Sequence, residues 1–461
     1  MQNSTSGQAT NEHLNPSTIL GRLKLFFTLI DSRFEDLTKK TWKTVVYRDL
    51  SAGLIVALTA IPMAMGFAMA MGMRPEQGII AGALACVIGR TFGGSKYQVY
   101  GPTAAFIPVI AGLIGKYTVV TGSYAKAHGF LVLVSMISGL VLMVLGLLGA
   151  GKYAKVVPNS IVVGFTVGIA VAIAISNLGE ALGLTTALKG NLIAKLSTVV
   201  THASEINGWA IFLALLTFGL TKGLLRVSIF IPAPLISIAV ATLLSSTVLA
   251  SKGISVVRDR FGSIPNNFFI FTPPQLPTFS LSVLGDIAYY VVAIVFVSGV
   301  ESLLCSSMAD RLANNRGTKF NPDKEFWGQG LVQMLTPLVN GFPCTGALAR
   351  TATSIKAGAV SPLAGYFKGV LKLIMAYFIA GLLERVPMAC IGGILLWVAS
   401  NMIKPQEIRE IVHEGRVEVG FMIYTAIMVP ATDFLTGVLS ALVFYLVYKR
   451  FFAAKHHPSV A

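Results

Sequence analysis

The sequence predicts an all-α integral membrane protein of about fourteen spanning segments built as inverted repeats, and three observations lead there. Apolar residues make up 54% of the 461-residue chain and its mean hydropathy is +0.73, so lipid rather than water is the solvent for most of it. Runs of the ~20 largely apolar residues that a spanning helix needs recur from Asp49 almost to the C-terminus. Two short, interrupted segments then occupy corresponding places in the two halves, the pointer to inverted repeats with a binding site at mid-membrane. A spanning β-barrel would show alternation in runs of ~10 residues, whereas Leu131 to Leu148 and Tyr289 to Leu304 are largely apolar on consecutive positions.

The first strong span runs from Asp49 to Met73 with an interruption at Ile61-Pro62, and the second from Gln77 to Phe92. A polar, β-prone stretch, Lys96-Tyr97-Gln98-Val99-Tyr100, leads into Gly101-Pro102-Thr103 and an apolar run to Ile114 that is too short to span fully. That is an extended segment entering a half-helix with Pro in its first turn. Spans at Gly129–Leu148, Val157–Leu178, Trp209–Leu225 and Pro232–Leu249 follow, and a polar stretch from Ser251 to Thr278 separates the halves. The second half runs from Leu284 through Glu301 to Met308, crosses a polar link from Arg311 to Lys324, and spans again at Trp327–Val339. It then repeats the device: Gly341-Phe342-Pro343-Cys344-Thr345-Gly346 enters a short apolar run broken by Arg350. Spans at Ser361–Leu383, Pro387–Met402, Val417–Pro430 and Phe434–Phe451 complete the membrane domain, residues 48–452. Residues 1–47 and 453–461 read as cytoplasmic segments.

The formal charge of +16 does not indicate nucleic-acid binding, because the basic residues lie between hydrophobic runs and act as orientation signals. Arg22, Lys24, Arg33, Lys39, Lys40, Lys43 and Arg48 precede the first span, with no cleavable hydrophobic stretch before them. The clusters at Arg90 and Lys96, Lys152 and Lys155, Lys222 and Arg226, Arg311 to Lys324, Lys404 to Arg416, and Lys449 to Lys455 agree with a cytoplasmic face. Lys252, Arg258 and Arg260 weaken the bias on the other side. The expected location is the inner (cell) membrane, multi-pass, with both termini cytoplasmic. Cys86, Cys305, Cys344 and Cys390 lie in or beside apolar runs and read as small buried residues.

Irregular backbone at membrane depth persists only where it is buried in protein or lines a cavity. The breaks at Gly101-Pro102 and Thr345-Gly346 therefore predict a cavity, and each half-helix offers it free N–H groups and a positive dipole end, a receptor for an anion. A lone break would read as a packing kink; the matched pair favours a site. Arg350, about one turn past the second break, carries an insertion cost of ~2.5–3.5 kcal/mol and either reinforces the anion site or snorkels beside Lys356. Glu301 lies too deep to snorkel, so it is protonated, paired with a cation, or bridged to Arg350. Cys305, one turn on, is a poor ligand for a hard cation, although Ser302 and Ser306 flank it; this tilts the coupling ion toward H+ over Na+. Asp310-Arg311, Glu384-Arg385 and Asp433 read as solvated interface charges. Met63, Met65, Met69, Met71 and Met73 read mostly as core packing. The chain has no Walker-type loop and no His/Cys metal spacing.

These stretches resemble the SulP anion transporter family, to which prestin and pendrin belong. The resemblance rests on Asp49-Leu50-Ser51-Ala52-Gly53-Leu54, Ile61-Pro62 with Gly66-Phe67-Ala68, Gly101-Pro102-Thr103-Ala104, Val163-Gly164-Phe165-Thr166 and Ile231-Pro232-Ala233-Pro234-Leu235. It is strongest at Glu301-Ser302-Leu303-Leu304, Gly328-Gln329-Gly330 and Thr345-Gly346-Ala347-Leu348-Ala349-Arg350-Thr351. It implies seven plus seven inverted helices divided into a core domain that holds the anion and a gate domain packed against it. The anion then sits between the N-termini of the two half-helices, with Thr103 and Ala104 on one side and Leu348, Ala349 and Arg350 on the other. Met63 and Phe67 close the pocket, and Glu301 takes the acidic position that couples transport to a cation. Two departures stand out: many relatives carry Gln where this chain has Met63, and most carry a STAS domain, whereas this chain ends ten residues after Phe451.

The expected function is secondary active transport of a small anion (sulfate, bicarbonate, chloride or dicarboxylate), by symport with H+ or Na+ and alternating access of core against gate. The expected partners are that anion, the lipid bilayer and a second copy in a homodimer; no cofactor and no nucleic acid are expected. A nucleobase permease of the same fold would carry an acidic residue where Arg350 stands. A passive anion channel or exchanger would not need Glu301, and a scaffold would not need the paired breaks. No nucleophile lies beside a plausible base, so an enzyme is not expected.

Overall fold

A computed structural model describes residues 18–152, 158–188, 190–265, 267–432 and 434–451. Lys155, Asp433, Lys455 and the C-terminal segment 453–461 lie outside the described residues, as does the start of the N-terminal segment. Among the described residues eight helices are long and apolar enough to cross a membrane, and shorter apolar helices and two short strands lie among them. Leaving aside the short helices Ile19–Phe27, Leu178–Leu182, Leu192–Thr201 and Val257–Phe261, the first half comprises α1 (Trp42–Ala70), α2 (Pro75–Phe92), β1 (Tyr100–Gly101), α3 (Ile107–Thr121), α4 (Tyr124–Leu147), α5 (Asn159–Ser176), α6 (Gly208–Val227) and α7 (Ala233–Ser246). The second, the amphipathic helix Pro405–Glu414 aside, comprises α8 (Leu281–Leu312), α9 (Pro322–Leu338), β2 (Thr345–Gly346), α10 (Leu348–Lys356), α11 (Leu363–Leu383), α12 (Met388–Met402), α13 (Arg416–Ala431) and α14 (Phe434–Phe451). The order of a long helix, a second helix, a strand and a short helix thus occurs twice.

Packing sorts these elements into two groups. In one, α4 lies on α9, α1 on α11, and α2 touches both α9 and α11; in the other, α5 lies on α13 and α6 on α12. The groups meet where α1 touches α7 and α12. Lipid tails are as apolar as the helix faces, so close backbone approach rather than a hydrophobic drive holds such pairs together. The α4·α9 crossing shows this: a Cβ on Gly139 would stand 2.5 Å from the Gly330 carbonyl oxygen, and one on Gly330 would stand 2.5 Å from the Gly139 oxygen. Only hydrogen at both positions lets the two backbones meet.

Helix α1 runs unbroken through Pro62, in place of the interruption expected at Ile61-Pro62. Proline removes one ladder bond but fits a membrane helix whose neighbours support it. One residue-turn earlier, the Thr59 hydroxyl donates back to the Ile55 and Val56 carbonyls (3.2 and 3.0 Å). The first short helix also runs further than expected, to Thr121 rather than Ile114, and ends on Gly122 in the left-handed conformation (φ +63°).

Several cations expected to be solvated orientation signals are structural. Arg33, Arg90, Lys96 and Lys324 are all buried. Arg90 donates to the Lys96 and Tyr97 carbonyls (2.6 and 2.8 Å), Lys324 pairs with Asp31 at 2.7 Å, and Lys96 pairs with Glu35 at 2.7 Å and Asp36 at 2.5 Å. Two of the presumed interface acids are likewise committed to protein. Asp310 is buried and accepts from the Asn315 amide (2.8 Å) and the Phe320 N–H (2.9 Å), which shapes the turn after α8. Glu384 accepts from the Ile264 N–H at 2.8 Å. Their partners lie in link residues whose course the sequence does not reveal. All four cysteines are buried and free.

Candidate functional site

The two strands pair antiparallel, Tyr100 opposite Gly346 and Gly101 opposite Thr345, and Ala347 N–H extends the ladder to the Val99 carbonyl at 2.9 Å. Two residues per strand make no independent sheet, so side chains complete the backbone's hydrogen bonds. Thr351 of α10 accepts from Val99 N–H at 2.9 Å, and Thr345 donates to the Ser298 carbonyl of α8 at 3.2 Å. Gln333 of α9 clasps Cys344 by both backbone groups, donating to its carbonyl at 2.7 Å and accepting from its N–H at 3.2 Å. Gly101 adopts φ +154°, and the Arg350 guanidinium fills the space a side chain would take.

From this pairing the two short helices leave in opposite directions, because antiparallel strands deliver their chains to opposite ends. Thr103, in extended conformation, precedes a single 3₁₀ turn, Ala104–Phe106, that opens α3. Ala347 is the N-cap of α10 and supplies no side-chain cap. The opening amides of both helices therefore lack partners within their own helix, and each carries about half a positive charge.

Hydrogen bonds at this point join Thr103 to Glu301 and Arg350 to Pro102. Met63 and Phe67 of α1 and Ala104 ahead of α3 belong to one large buried apolar cluster. Thr103 is buried, Leu348 is half-buried and Ala349 is exposed. Arg350 is 4% exposed, so it faces the protein interior and does not snorkel beside Lys356. Its Nη2 donates to the Pro102 carbonyl, tying α10 to the strand-to-helix turn ahead of α3, while its Nη1 is buried without a partner.

Glu301 is half-buried and accepts from the Thr103 hydroxyl at 2.9 Å. No ion pair among the described residues joins it to Arg350. The bridged alternative for Glu301 is therefore not the arrangement adopted, because the guanidinium is turned to Pro102. A second acid on this side, Glu325 of α9, shows what a structural carboxylate looks like. It is fully buried and accepts from Gln98 (2.7 Å), Tyr100 (2.8 Å), Ser302 (2.5 Å) and the Gly94 N–H (2.9 Å). Glu301 has one such partner, the Thr103 hydroxyl.

Sequence reasoning missed Glu325, Gln98 and Gln333, and it missed Lys368 and Lys372, two buried cations on α11. The lysines carried a readable signal, since charged residues one turn apart inside an apolar run face the protein interior. The glutamines carried none, because their value lies in the partners that folding brings to them.

Short helices that start head to head from a buried strand pair, within a bundle of spanning helices, define a multi-pass membrane transporter of the discontinuous-helix class. Residues 46–427 match the model of the sulfate permease family, and the chain belongs to that family, whose members are transporters and not enzymes. YvdB of Bacillus subtilis, whose name carries a provisional sulfate-transporter assignment, is 32% identical over 402 residues, 87% of this chain and 73% of its own. The bicarbonate transporter BicA of Picosynechococcus is 27% identical over 370 residues, 80% of this chain and 63% of its own. Among solved structures, the transmembrane domain of a cyanobacterial BicA superposes with a TM-score of 0.75 at 23% identity, over 88% of this chain and 98% of that one. SLC26A9 superposes at 0.76 and 18% identity, over 88% of this chain and 65% of that one. At these identities the likeness establishes the fold.

Proposed function

We propose that the chain is a secondary active transporter of a small anion, of the sulfate, bicarbonate, chloride or dicarboxylate class, coupled to a proton or sodium ion at Glu301. One observation carries the reading: two half-helix N-termini converge on the β1·β2 crossing, with the Arg350 guanidinium buried between them. Fixed amide dipoles and one buried cation hold an anion without an opposing acid in direct contact. Thr103, Ala104, Leu348, Ala349 and Arg350 form the anion site, and Met63 and Phe67 wall it. The named relatives carry sulfate- or bicarbonate-transporter names, and both are small oxyanions, which agrees with a site of this sign.

Glu301 is the coupling residue because it is held by a single hydroxyl, has no basic partner among the described residues, and bears directly on Thr103 at the anion site. A cation that neutralises it therefore changes the field at the anion. The fold supports seven-plus-seven inverted repeats, with α1–α4 and α8–α11 as the core domain that carries both half-helices. The remaining helices form the gate, and alternating access is a movement of one group against the other. The exposed basic residues at and ahead of the start of α1, Lys39, Lys40, Lys43 and Arg48, mark the cytoplasmic end by the positive-inside rule. Uptake of a panel of labelled anions into proteoliposomes, with pH and sodium gradients imposed separately, tests the reading. Accumulation of an anion above equilibrium under one gradient is expected; equilibration that ignores both gradients contradicts active transport and leaves a channel.

A further inference from the structure

Lys368 and Lys372 stand one turn apart on the same face of α11, 1% and 0% exposed. Lys368 donates to the Tyr100 carbonyl (2.7 Å) and the Gly82 carbonyl (3.1 Å), and Lys372 donates to the Gly78 carbonyl (3.2 Å). A Cβ on Gly82 would run into the Lys372 nitrogen and the Pro102 ring. Both lysines are thus seated behind the Tyr100-to-Pro102 segment, whose Pro102 carbonyl Arg350 holds from α10. Three basic side chains therefore surround one strand crossing. Among the described residues none of the three is in an ion pair. The other titratable groups near them are the thiols of Cys86 and Cys344, with Glu301 across Thr103, and Asp49 and Arg90 toward the end of α11 that follows Ser361.

We propose that Lys368 and Lys372 are the charge-selecting residues of the anion site and give it a preference for doubly charged over singly charged anions. The inference rests on the anion-transport reading above. A buried ammonium without countercharge is costly, and the protein supplies no acid in contact with either lysine, so each holds its charge only with an anion bound. An anion at the half-helix ends supplies the missing charge through the thin wall of the strand crossing. Coulomb energy scales with the product of charges, so a dianion gains about twice what a monoanion gains from each ammonium. A carboxylate paired to either lysine would have cancelled this preference; instead both donate to backbone carbonyls, and Lys368 also to the Cys86 thiol.

The test is calorimetric affinity of the purified full chain for sulfate and for chloride, in wild type, Lys372→Met, Lys368→Met and Lys372→Arg. Removing one ammonium is expected to weaken sulfate by about tenfold and chloride by about threefold, the twofold ratio in log affinity that charge dictates. Lys372→Arg should keep the wild-type ratio. Detergent melting reports folding, and Lys368→Met serves as the second, independent variant. Equal fold-losses for both anions, or an unchanged ratio in a folded Lys→Met variant, overturns charge selection while leaving the anion site intact. Absence of binding by any anion in the wild type overturns the transport reading itself.

Discussion

Replacing Glu301 by Gln separates a coupling carboxylate from a structural one, and the structure sets the size of each effect. Gln keeps an acceptor oxygen for the Thr103 hydroxyl, which now reaches Glu301 at 2.9 Å. That bond falls from the charge-assisted range of about 1.5–3 kcal/mol to the neutral range of about 0.5–1.5, a loss of about 1 kcal/mol. The loss is offset because a group at membrane depth no longer carries a charge. Breaking a buried ion pair would instead cost about 3–5 kcal/mol, but Arg350 is turned to the Pro102 carbonyl and no such pair exists to break. The folded protein should therefore melt in detergent close to wild type. Accumulation driven by an imposed proton or sodium gradient should be lost, and anion-for-anion exchange in the same proteoliposomes should survive, since exchange does not require the cation site to empty. Full gradient-driven accumulation in a well-folded variant refutes the coupling role. A collapse of stability and of every transport mode together refutes the reasoning about Arg350.

Gly330→Val should destabilise the protein more than a typical surface change, by several kcal/mol, because the α4 and α9 backbones touch at Gly139 and must separate; a wild-type detergent melting temperature contradicts that packing. The Lys96–Glu35 pair lies outside the spanning segments and adds a pH dependence. Hydrogen bonding from Lys96 lowers the Glu35 pKa, so its contribution is present above the unfolded value and is lost as pH falls through the folded one. Burial acts to lower the Lys96 pKa, but the bonds to Asp36 and Glu35 outweigh it and raise it, so that contribution is full below its unfolded value and is lost as pH rises through the folded one. Stability from the pair should be flat across neutral pH and fall in acid and in strong alkali, and Lys96→Met should remove part of the acid-side fall in melts run across pH; identical acid limbs contradict the pair.

The membrane class and the paired breaks were legible because they are written in composition and in Gly and Pro, residues whose backbone consequences are local. Gly101-Pro102 and Thr345-Gly346 do begin short strands or the turns after them, and α3 and α10 do start beside each other. Residues whose meaning depends on a distant partner were not legible. Asp310 and Glu384 looked like solvated span ends, yet each accepts from a link backbone that only folding brings near. Arg350 and Glu301 were read as a candidate pair from depth alone, and depth does not say which way a guanidinium turns. Lys368 and Lys372 were passed over inside an apolar run, although two cations at that spacing mark an inward face.

The central claim is that the half-helix ends at the β1·β2 crossing hold the anion, and accessibility of position 349 tests it most directly. Every native cysteine is buried, while Ala349 at the opening of α10 is exposed. Ala349→Cys should therefore present a single reactive thiol to a maleimide of moderate size in reconstituted protein. The account predicts that a transported anion slows this labelling in a concentration-dependent way and that the labelled protein no longer takes up anion. Labelling indifferent to every anion tested, with uptake intact after complete modification, would contradict it.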